Sequence, residues 1–290
     1  MRHFEDMMAS LLVMAWIVEA RDPYTGGHLW RVSQYSRLLA EAIGMPEADV
    51  ARITVGGFLH DIGKIGIPDV ILNKLDRLTP EEYEIIKTHP EIGVRMLAGH
   101  PLRELVKSTI LHHHETPDGT GYPRQLSGDD VPLDAKIVGI CDAFDAMTSK
   151  RPYRPAMAKE RALAIVKENL GRQFDATWGK RFLALGESGA LDHIVGHSDV
   201  GIPLQVCPMC GPTLAVRREQ AAGSNVYCPS CGGEFEVERQ GTMLGVKPTG
   251  RRGSPLDLQP EADVELIARL VRESATRLAP QLETLYARSA

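Results

Sequence analysis

Apolar residues recur at three- and four-residue spacings between residues 5 and 185, with short polar or glycine-containing breaks between the periodic segments. In HLWRVSQYSRLLAEAIG the apolar positions share one helical face, and the segment closes on Gly44, a common residue just beyond a helix C-terminus. In LTPEEYEIIKTHP, Thr79 is a helix cap, Pro80 suits the first helical position and Glu82 completes a capping box. The pattern predicts a mainly α domain over residues 1–186.

Three further segments, PLRELVKSTILHHH, DAKIVGICDAFDAMTS and KERALAIVKENL, show the same helical period. The stretch ETPDGTGYPRQLSGDDVPL is dense in Gly, Pro and Asp, which predicts a loop. The apolar run Met7–Val18 is too short to cross a bilayer and lacks a signal-peptide cleavage pattern. We therefore predict a helix packed on the core or on a second subunit, and no membrane partner.

The pattern changes after residue 186. Residues 187–203 are predicted as a linker, and residues 204–240 as short strands, including TLAVRRE and GEFEVER, around two cysteine pairs. Residues 241–259, which include KPTGRRGSPLDLQP, are predicted as a second, flexible linker. Residues 260–290 are predicted as an amphipathic helix that docks on the chain or dimerises. Its apolar positions at helical spacing are Val264, Ile267, Leu270 and Val271.

Composition narrows the classes of function. The chain has 290 residues, enough for one sizeable core with a small appendage or for two modest domains. Its formal net charge of -5 disfavours a nucleic-acid partner, because counterion release needs a basic surface. Four of the five cysteines form two Cys-x-x-Cys pairs, which is metal-site spacing and not a secreted disulfide framework, so we expect a cytoplasmic protein.

The candidate chemistry lies mainly in the histidines. In FLHDIGKIGIPDVIL, His60 and Asp61 stand between apolar neighbours, where polar groups are costly to bury unless a partner such as a metal ion satisfies them. For any single histidine, a helix-capping or core role is the alternative. Two divalent transition-metal ions that share a bridging carboxylate would use the whole set of donors near the helix breaks. That set is His28, His60, Asp61, His89, His113, His114 and Asp142.

Two motifs carry a family resemblance. HDIGK, followed by HHETPDGTGYP, resembles the double signature of the HD-GYP family, a branch of the HD phosphohydrolase superfamily. The similarity extends to RDPYTGGH, THP and CDAFDAMTSKRPYR and covers residues 10–185. It implies an all-helical HD-type domain that hydrolyses cyclic di-GMP at a two- or three-metal site. The donors named above match the family's metal ligands in residue type.

Residue chemistry predicts the roles of Asp61 and Lys64 around the metals, and the resemblance implies the roles of two arginines. Asp61 is the expected bridging ligand, and two cations sharing it could hold a water, lower its pKa and present hydroxide to the phosphodiester phosphorus. Lys64 is expected to neutralise charge on the phosphate oxygens. Arg151 and Arg154 match family positions that hold the substrate phosphates; a solvated helix start is the alternative.

Three residues are expected to support the site. Tyr122 is placed at the substrate pocket by the resemblance, where it could stack on a guanine or brace the neighbouring histidine pair. Asp118 would lock the glycine-rich loop, and Asp145, one turn past Asp142, would orient a ligand or a water. One position departs from the family: Tyr24 stands where some members carry a glutamate that helps to hold a third metal. We therefore expect two metal ions, iron or manganese.

A second metal site is predicted in CPMCG and CPSCG. The spacing C-x2-C, seventeen residues, C-x2-C is typical of a four-thiolate zinc ribbon, and a redox dithiol is the alternative. A module this small needs zinc to supply its folding energy. The predicted zinc ligands are Cys207, Cys210, Cys228 and Cys231, whereas Cys141 is expected in the core.

The leading hypothesis is a metal-dependent phosphodiesterase that opens cyclic di-GMP to pGpG, or onward to GMP. The alternatives are an HD-type hydrolase of another cyclic dinucleotide or nucleotide, and a non-enzymatic cyclic di-GMP receptor that signals through the C-terminal module. The complete ligand set favours an enzyme. The zinc ribbon or the terminal helices are expected to bind a protein partner or a second copy of the chain.

Overall fold

The computed structural model of the protein describes residues 2–22, 26–150, 155–241 and 243–289. The described residues before His197 contain helices and no β-strand, which confirms the helical prediction for this region. Two short 3₁₀ helices, Ile62–Gly66 and Gly128–Asp130, lie in the connections. The α-helices of this region are α1 Arg2–Glu19, α2 His28–Ala42, α3 Glu47–Leu59, α4 Asp69–Leu72, α5 Pro80–Ile86, α6 His89–Met96, α7 Arg103–His112, α8 Leu133–Thr148, α9 Lys159–Glu168 and α10 Ala176–Glu187.

Local sequence signals set several helix ends. Gly44, just beyond α2, has a φ of 76°, a left-handed conformation that glycine adopts at little cost. At the start of α5 the Thr79 hydroxyl accepts the N–H of Glu82, and the Glu82 carboxylate accepts the N–H of Thr79. The predicted capping box is therefore confirmed.

The first and last helices share one hydrophobic core. α1 buries Leu11 and Leu12, and the C-terminal helix α11, Val264–Ser289, buries Ile267 and Leu270 in the same cluster. The predicted amphipathic tail thus docks on the chain's own core, where it packs on α1 and α3. Val264, expected on its apolar face, is instead 70% exposed. No helix in the described part of the chain is long and apolar enough to cross a membrane.

The C-terminal region holds small antiparallel sheets. β1 pairs with β2, β3 pairs with β4, and β5, β6 and β7 form a three-stranded sheet with β6 in the centre. TLAVRRE predicts one strand, but only its first two residues form β4, since the N–H of Arg217 donates to the Gln220 side chain and the chain turns there. The strands are β1 His197–Asp199, β2 Ile202–Pro203, β3 Gln205–Val206, β4 Thr213–Leu214, β5 Asn225–Tyr227, β6 Gly233–Gln240 and β7 Met243–Arg252.

Both stretches predicted as linkers, the second of them flexible, contain strands, which corrects that prediction. β1 and β2 form a hairpin within 187–203, and β7 occupies much of 241–259, where Val246 pairs opposite Val237 of β6. Glycine and proline in this stretch suggest a linker, but β7 is an edge strand, and an edge strand tolerates Pro248 because one side of its backbone needs no ladder partner. The ribbon sheet is therefore larger than the predicted 204–240.

Candidate active site

The predicted histidine ligands lie at helix ends that converge on one buried cluster. His28 and His89 begin α2 and α6, whereas His60 and His113 directly follow α3 and α7. His60 is fully buried, and the other three are at most 3% exposed. Asp61, next to His60, is also buried, so several polar side chains meet where water is largely excluded.

Apart from Asp61, the six predicted ligands form two groups. Within each group the donor atoms lie within 4.8 Å of one another. Group A is His28, His60 and Asp142, and group B is His89, His113 and His114. Asp61 lies between them: its Oδ2 is 3.6 Å from Nε2 of His28 and 3.4 Å from Nε2 of His60. Its Oδ1 is 3.3 Å from Nε2 of His89. Each carboxylate oxygen therefore faces a different group, the arrangement that a bridging ligand requires.

Backbone carbonyls orient three of these imidazole rings. A carbonyl oxygen only accepts hydrogen bonds, so Nδ1 of each ring carries the proton and donates it, which leaves the Nε2 lone pair for the cluster. Each acceptor is a carbonyl near the C-terminal end of a helix. The Nδ1-to-oxygen distances are 2.7 Å for His60 and Gly57, 2.8 Å for His89 and Ile86, and 3.0 Å for His113 and Ile110.

The cluster fits divalent metal ions. Nε2 of His60 is buried and has no hydrogen-bond partner among the described residues, a costly state that a bound cation would relieve. Burial lowers the pKa of His89 to about 4 and of His114 to about 3, so both rings are neutral at physiological pH. Neutral imidazoles together with carboxylates are the donors that first-row transition ions accept.

His28 is oriented through its other nitrogen. Nδ1 of His28 lies 2.8 Å from Oδ2 of Asp145, a fully buried carboxylate that also accepts Nε of Arg31 at 2.6 Å. Burial opposes a charge on His28, but the neighbouring carboxylates of Asp145 and Asp61 outweigh it and raise its pKa to about 9. The structure thus places Asp145 directly against a predicted ligand. Arg31 was missed in the sequence, although its position three residues after His28 puts both on one face of α2.

The start of α2 has an unusual cap. Its N-cap residue, Gly27, has no side chain to satisfy the first N–H groups, and the Glu19 carboxylate accepts the N–H of Leu29 at 3.1 Å instead. Burial raises the pKa of Glu19 to about 7, although neighbouring His28 opposes the shift. Glu19 was missed in the sequence because a carboxylate ten residues before Leu29 matches no local helix-capping motif.

Lys64 and Tyr122 both contact the cluster. Nζ of Lys64 lies 2.5 Å from Oδ2 of Asp61. Burial raises the pKa of Asp61, but Lys64 and His60 outweigh burial and hold that pKa well below its usual range. The Tyr122 ring stacks on His114, with 4.6 Å between ring centroids and 29° between the planes. The tyrosine therefore braces one ligand of group B.

Two carboxylates shape the loop that carries Tyr122. Asp118 is exposed and accepts the hydroxyls of Thr116 and Thr120, each at 2.7 Å, so it holds the loop and not a histidine. Glu115, which the sequence analysis missed, is buried and accepts the N–H of Arg124 at 2.6 Å. Glu115 directly follows His113 and His114 in the sequence, and this position could have indicated a role near the site. The predicted phosphate-binding arginines, Arg151 and Arg154, and the departing residue Tyr24 lie outside the described residues.

The four predicted zinc ligands also come together. Cys207 and Cys210 follow β3, and Cys228 and Cys231 follow β5. The Sγ of Cys210 lies 3.7 Å from that of Cys207 and 3.5 Å from that of Cys228. Burial opposes ionisation of Cys207, but backbone N–H groups of Cys210 and Met209 lower its pKa to about 7. Cys141 is fully buried in the main core, as predicted.

The fold and the cluster define a helical domain with a buried set of histidine and aspartate side chains that could hold metal ions. The chain belongs to the HD domain family, whose pattern matches residues 12–178. It is 42% identical over 164 residues to the cyclic di-GMP phosphodiesterase response regulator RpfG of Xanthomonas campestris, over 56% of this chain and 43% of that protein.

Two further relatives are a cyclic di-GMP phosphodiesterase of Thermotoga maritima and the 3'3'-cGAMP-specific phosphodiesterase 3 of Vibrio cholerae. The first is 41% identical and covers 63% of this chain and 50% of the relative. The second is 38% identical and covers 59% of this chain and 38% of the relative. The chain therefore spans half or less of the length of these relatives.

Proposed function

We propose that the chain is a metal-dependent phosphodiesterase that hydrolyses cyclic di-GMP. The observation that carries the proposal is the pair of donor groups joined by Asp61, which offers two adjacent cation sites with a shared carboxylate. Two divalent cations bound there, iron or manganese, would supply Lewis acidity to the phosphate and lower the pKa of a water between them. The names of two relatives support cyclic di-GMP as the substrate.

The chain's own residues would prepare the site before substrate arrives. The Nδ1–H bonds to backbone carbonyls hold His60, His89 and His113 in place, so the lone pairs need little reorganisation when metal binds. The Lys64 ammonium, beside Asp61, is proposed to stabilise negative charge that develops on the phosphate oxygens. Arg151 and Arg154 are proposed to bind the substrate phosphates through paired guanidinium donors.

The reaction consumes one water for each phosphodiester. The water oxygen bonds to phosphorus, the bond from phosphorus to the 3′-oxygen breaks, and that oxygen takes a proton. The first product, pGpG, retains one phosphodiester, so a second hydrolysis would yield GMP. The relative named for 3'3'-cGAMP makes this mixed dinucleotide the second candidate substrate.

Turnover assays with the full chain test the proposal. Protein loaded with Mn²⁺ or Fe²⁺ is incubated with cyclic di-GMP, 3'3'-cGAMP or cyclic di-AMP, and the products are separated by chromatography. We expect Asp61→Ala to abolish turnover and the exposed control Glu168→Ala to leave it unchanged. Turnover that survives Asp61→Ala would overturn the mechanism. Binding of cyclic di-GMP without turnover would favour the receptor alternative.

A structural zinc ion is proposed at the four cysteines. Zinc–sulfur bonds of about 2.3 Å in a tetrahedron separate the sulfurs by about 3.8 Å. The sulfur distances of 3.5 to 3.8 Å in the ribbon match this spacing. Binding of a protein partner or a second copy of the chain by the ribbon stays a prediction.

A further inference from the structure

The β1–β2 hairpin packs directly on the residues that carry His28. Gly27, which immediately precedes His28, approaches the hairpin so closely that a Cβ there would lie 2.6 Å from Cα of Ser198. Nη1 of Arg31 donates to the backbone oxygen of His197 at 2.9 Å. The C-terminal part of the chain therefore touches the start of α2 at two points.

Arg31 connects this hairpin to the support of His28. Arg31 is 1% exposed, and its guanidinium donates hydrogen bonds to a carboxylate, a hydroxyl and two backbone oxygens. Nε and Nη2 donate to the two oxygens of Asp145, Nη2 also donates to Ser149, and Nη1 donates to the oxygens of Gly26 and His197. Because the guanidinium is planar and rigid, a shift of the hairpin at one end changes the hydrogen bonds to Asp145 at the other.

The hairpin is in turn anchored by Asp199. This carboxylate is 3% exposed, although it lies in a region predicted as a linker. Nη2 of Arg218, from the ribbon, donates to its Oδ2 at 3.1 Å, and Arg269 of α11 donates to its Oδ1. Asp199 thus joins the hairpin to both the ribbon and α11, and loss of its charge would remove the acceptor that the two arginines share.

We propose that Arg31 and Asp199 are positioning residues, through which the C-terminal region holds His28 in its metal-binding orientation. The path runs from Asp199 through the hairpin and Arg31 to Asp145, which fixes the His28 ring. The inference rests on the proposed metal site and extends it to residues beyond 178, where the family match ends. Loss of a residue that hydrogen-bonds to a metal ligand typically weakens metal binding 10- to 100-fold. This path therefore sets the affinity of group A for its ion.

Metal binding by the full chain tests the inference. Mn²⁺ affinity is measured by titration followed by electron paramagnetic resonance, with the zinc ribbon filled. We expect Arg31→Lys to weaken Mn²⁺ binding by about 10-fold or more, because a lysine ammonium cannot donate hydrogen bonds to both Asp145 and His197. We expect Asp199→Asn to weaken it by about 3- to 10-fold. Excess Mn²⁺ should restore turnover of cyclic di-GMP by Asp199→Asn with KM unchanged.

A matched control separates positioning from general stability. Glu261 pairs with Arg217 of the ribbon at 2.7 Å but is 76% exposed, and we expect Glu261→Gln to bind Mn²⁺ as the wild type does. If Asp199→Asn does not fold, Arg218→Gln removes only one of the two arginine contacts. Wild-type Mn²⁺ affinity in the Asp199 or Arg218 variant would overturn the inference, even if thermal stability falls. Failure of the wild type to bind either Mn²⁺ or Fe²⁺ would instead overturn the proposed function.

Discussion

Replacement of Gly63 by alanine tests how finely the fold sets the position of a metal ligand. Gly63 lies in the 3₁₀ helix Ile62–Gly66, and a Cβ there would lie only 1.9 Å from the backbone oxygen of His89. Ordinary van der Waals contact begins near 3.4 Å, so the start of α6 must move by about 1.5 Å. Metal–ligand distances tolerate about 0.2 Å. The shift is therefore large enough to remove His89 from group B.

We expect Gly63→Ala to lose about 1–3 kcal/mol of unfolding free energy from overpacking. We also expect the variant to lose the ion of group B. Turnover should fall by about 100-fold, because displacement of a catalytic group by about 1 Å has an effect of this size. Metal analysis, thermal unfolding and turnover of cyclic di-GMP measure these effects. Gly66→Ala is the matched control: in the same 3₁₀ helix, the three atoms nearest to its Cβ all belong to the Ile92 side chain, the closest at 2.9 Å, and none belongs to the backbone. Wild-type metal content and turnover in Gly63→Ala would refute the reasoning.

Substitutions at three further residues separate the other roles. Tyr122→Phe keeps the ring that stacks on His114, so its metal affinity should equal that of the wild type, whereas Tyr122→Ala should bind metal more weakly. Wild-type metal affinity in the alanine variant would argue against bracing of His114 by the tyrosine. Cys210→Ser should abolish binding of the proposed zinc ion and make the ribbon sensitive to proteolysis; a ribbon that stays resistant would show that the sheet folds without metal. Asp145→Asn should weaken Mn²⁺ binding 10- to 100-fold, measured by titration, and equal affinity would exclude a role in orienting His28.

Much of the fold follows from local sequence, because periodicity and caps are local signals. The apolar face of α2, the capping box at Thr79 and the loop rich in Gly, Pro and Asp all lie where the pattern predicts them. The linker predictions were wrong for a different reason. β7 contains Gly and Pro, and it forms a strand because β6 supplies a partner edge, which local composition does not encode.

The candidate site was likewise predicted only in part from the sequence. Residue type and motif predicted the seven donors, and the structure brings them together in two groups joined by Asp61. Sequence reasoning missed the groups that hold the donors, among them Arg31 and Glu19. Helical spacing places Arg31 near His28 but does not indicate its contact with Asp145, 114 positions away, and Glu19 caps Leu29 from outside any local capping motif. The contact from Arg31 to His197 spans 166 positions, and only the packed structure reveals it.

Helix capping and metal binding are alternatives for a single histidine in a sequence, but in this fold the arrangement that caps a helix also suits the proposed metal binding. The last carbonyls of a helix lack partners within the helix, and an imidazole Nδ1–H satisfies one of them. His60, His89 and His113 do this at the ends of α3, α5 and α7. The bond that caps the helix turns Nε2 away from it, toward the space between the helix ends. What distinguishes a metal site is therefore that several capped helices end at one point, and this is a property of tertiary packing.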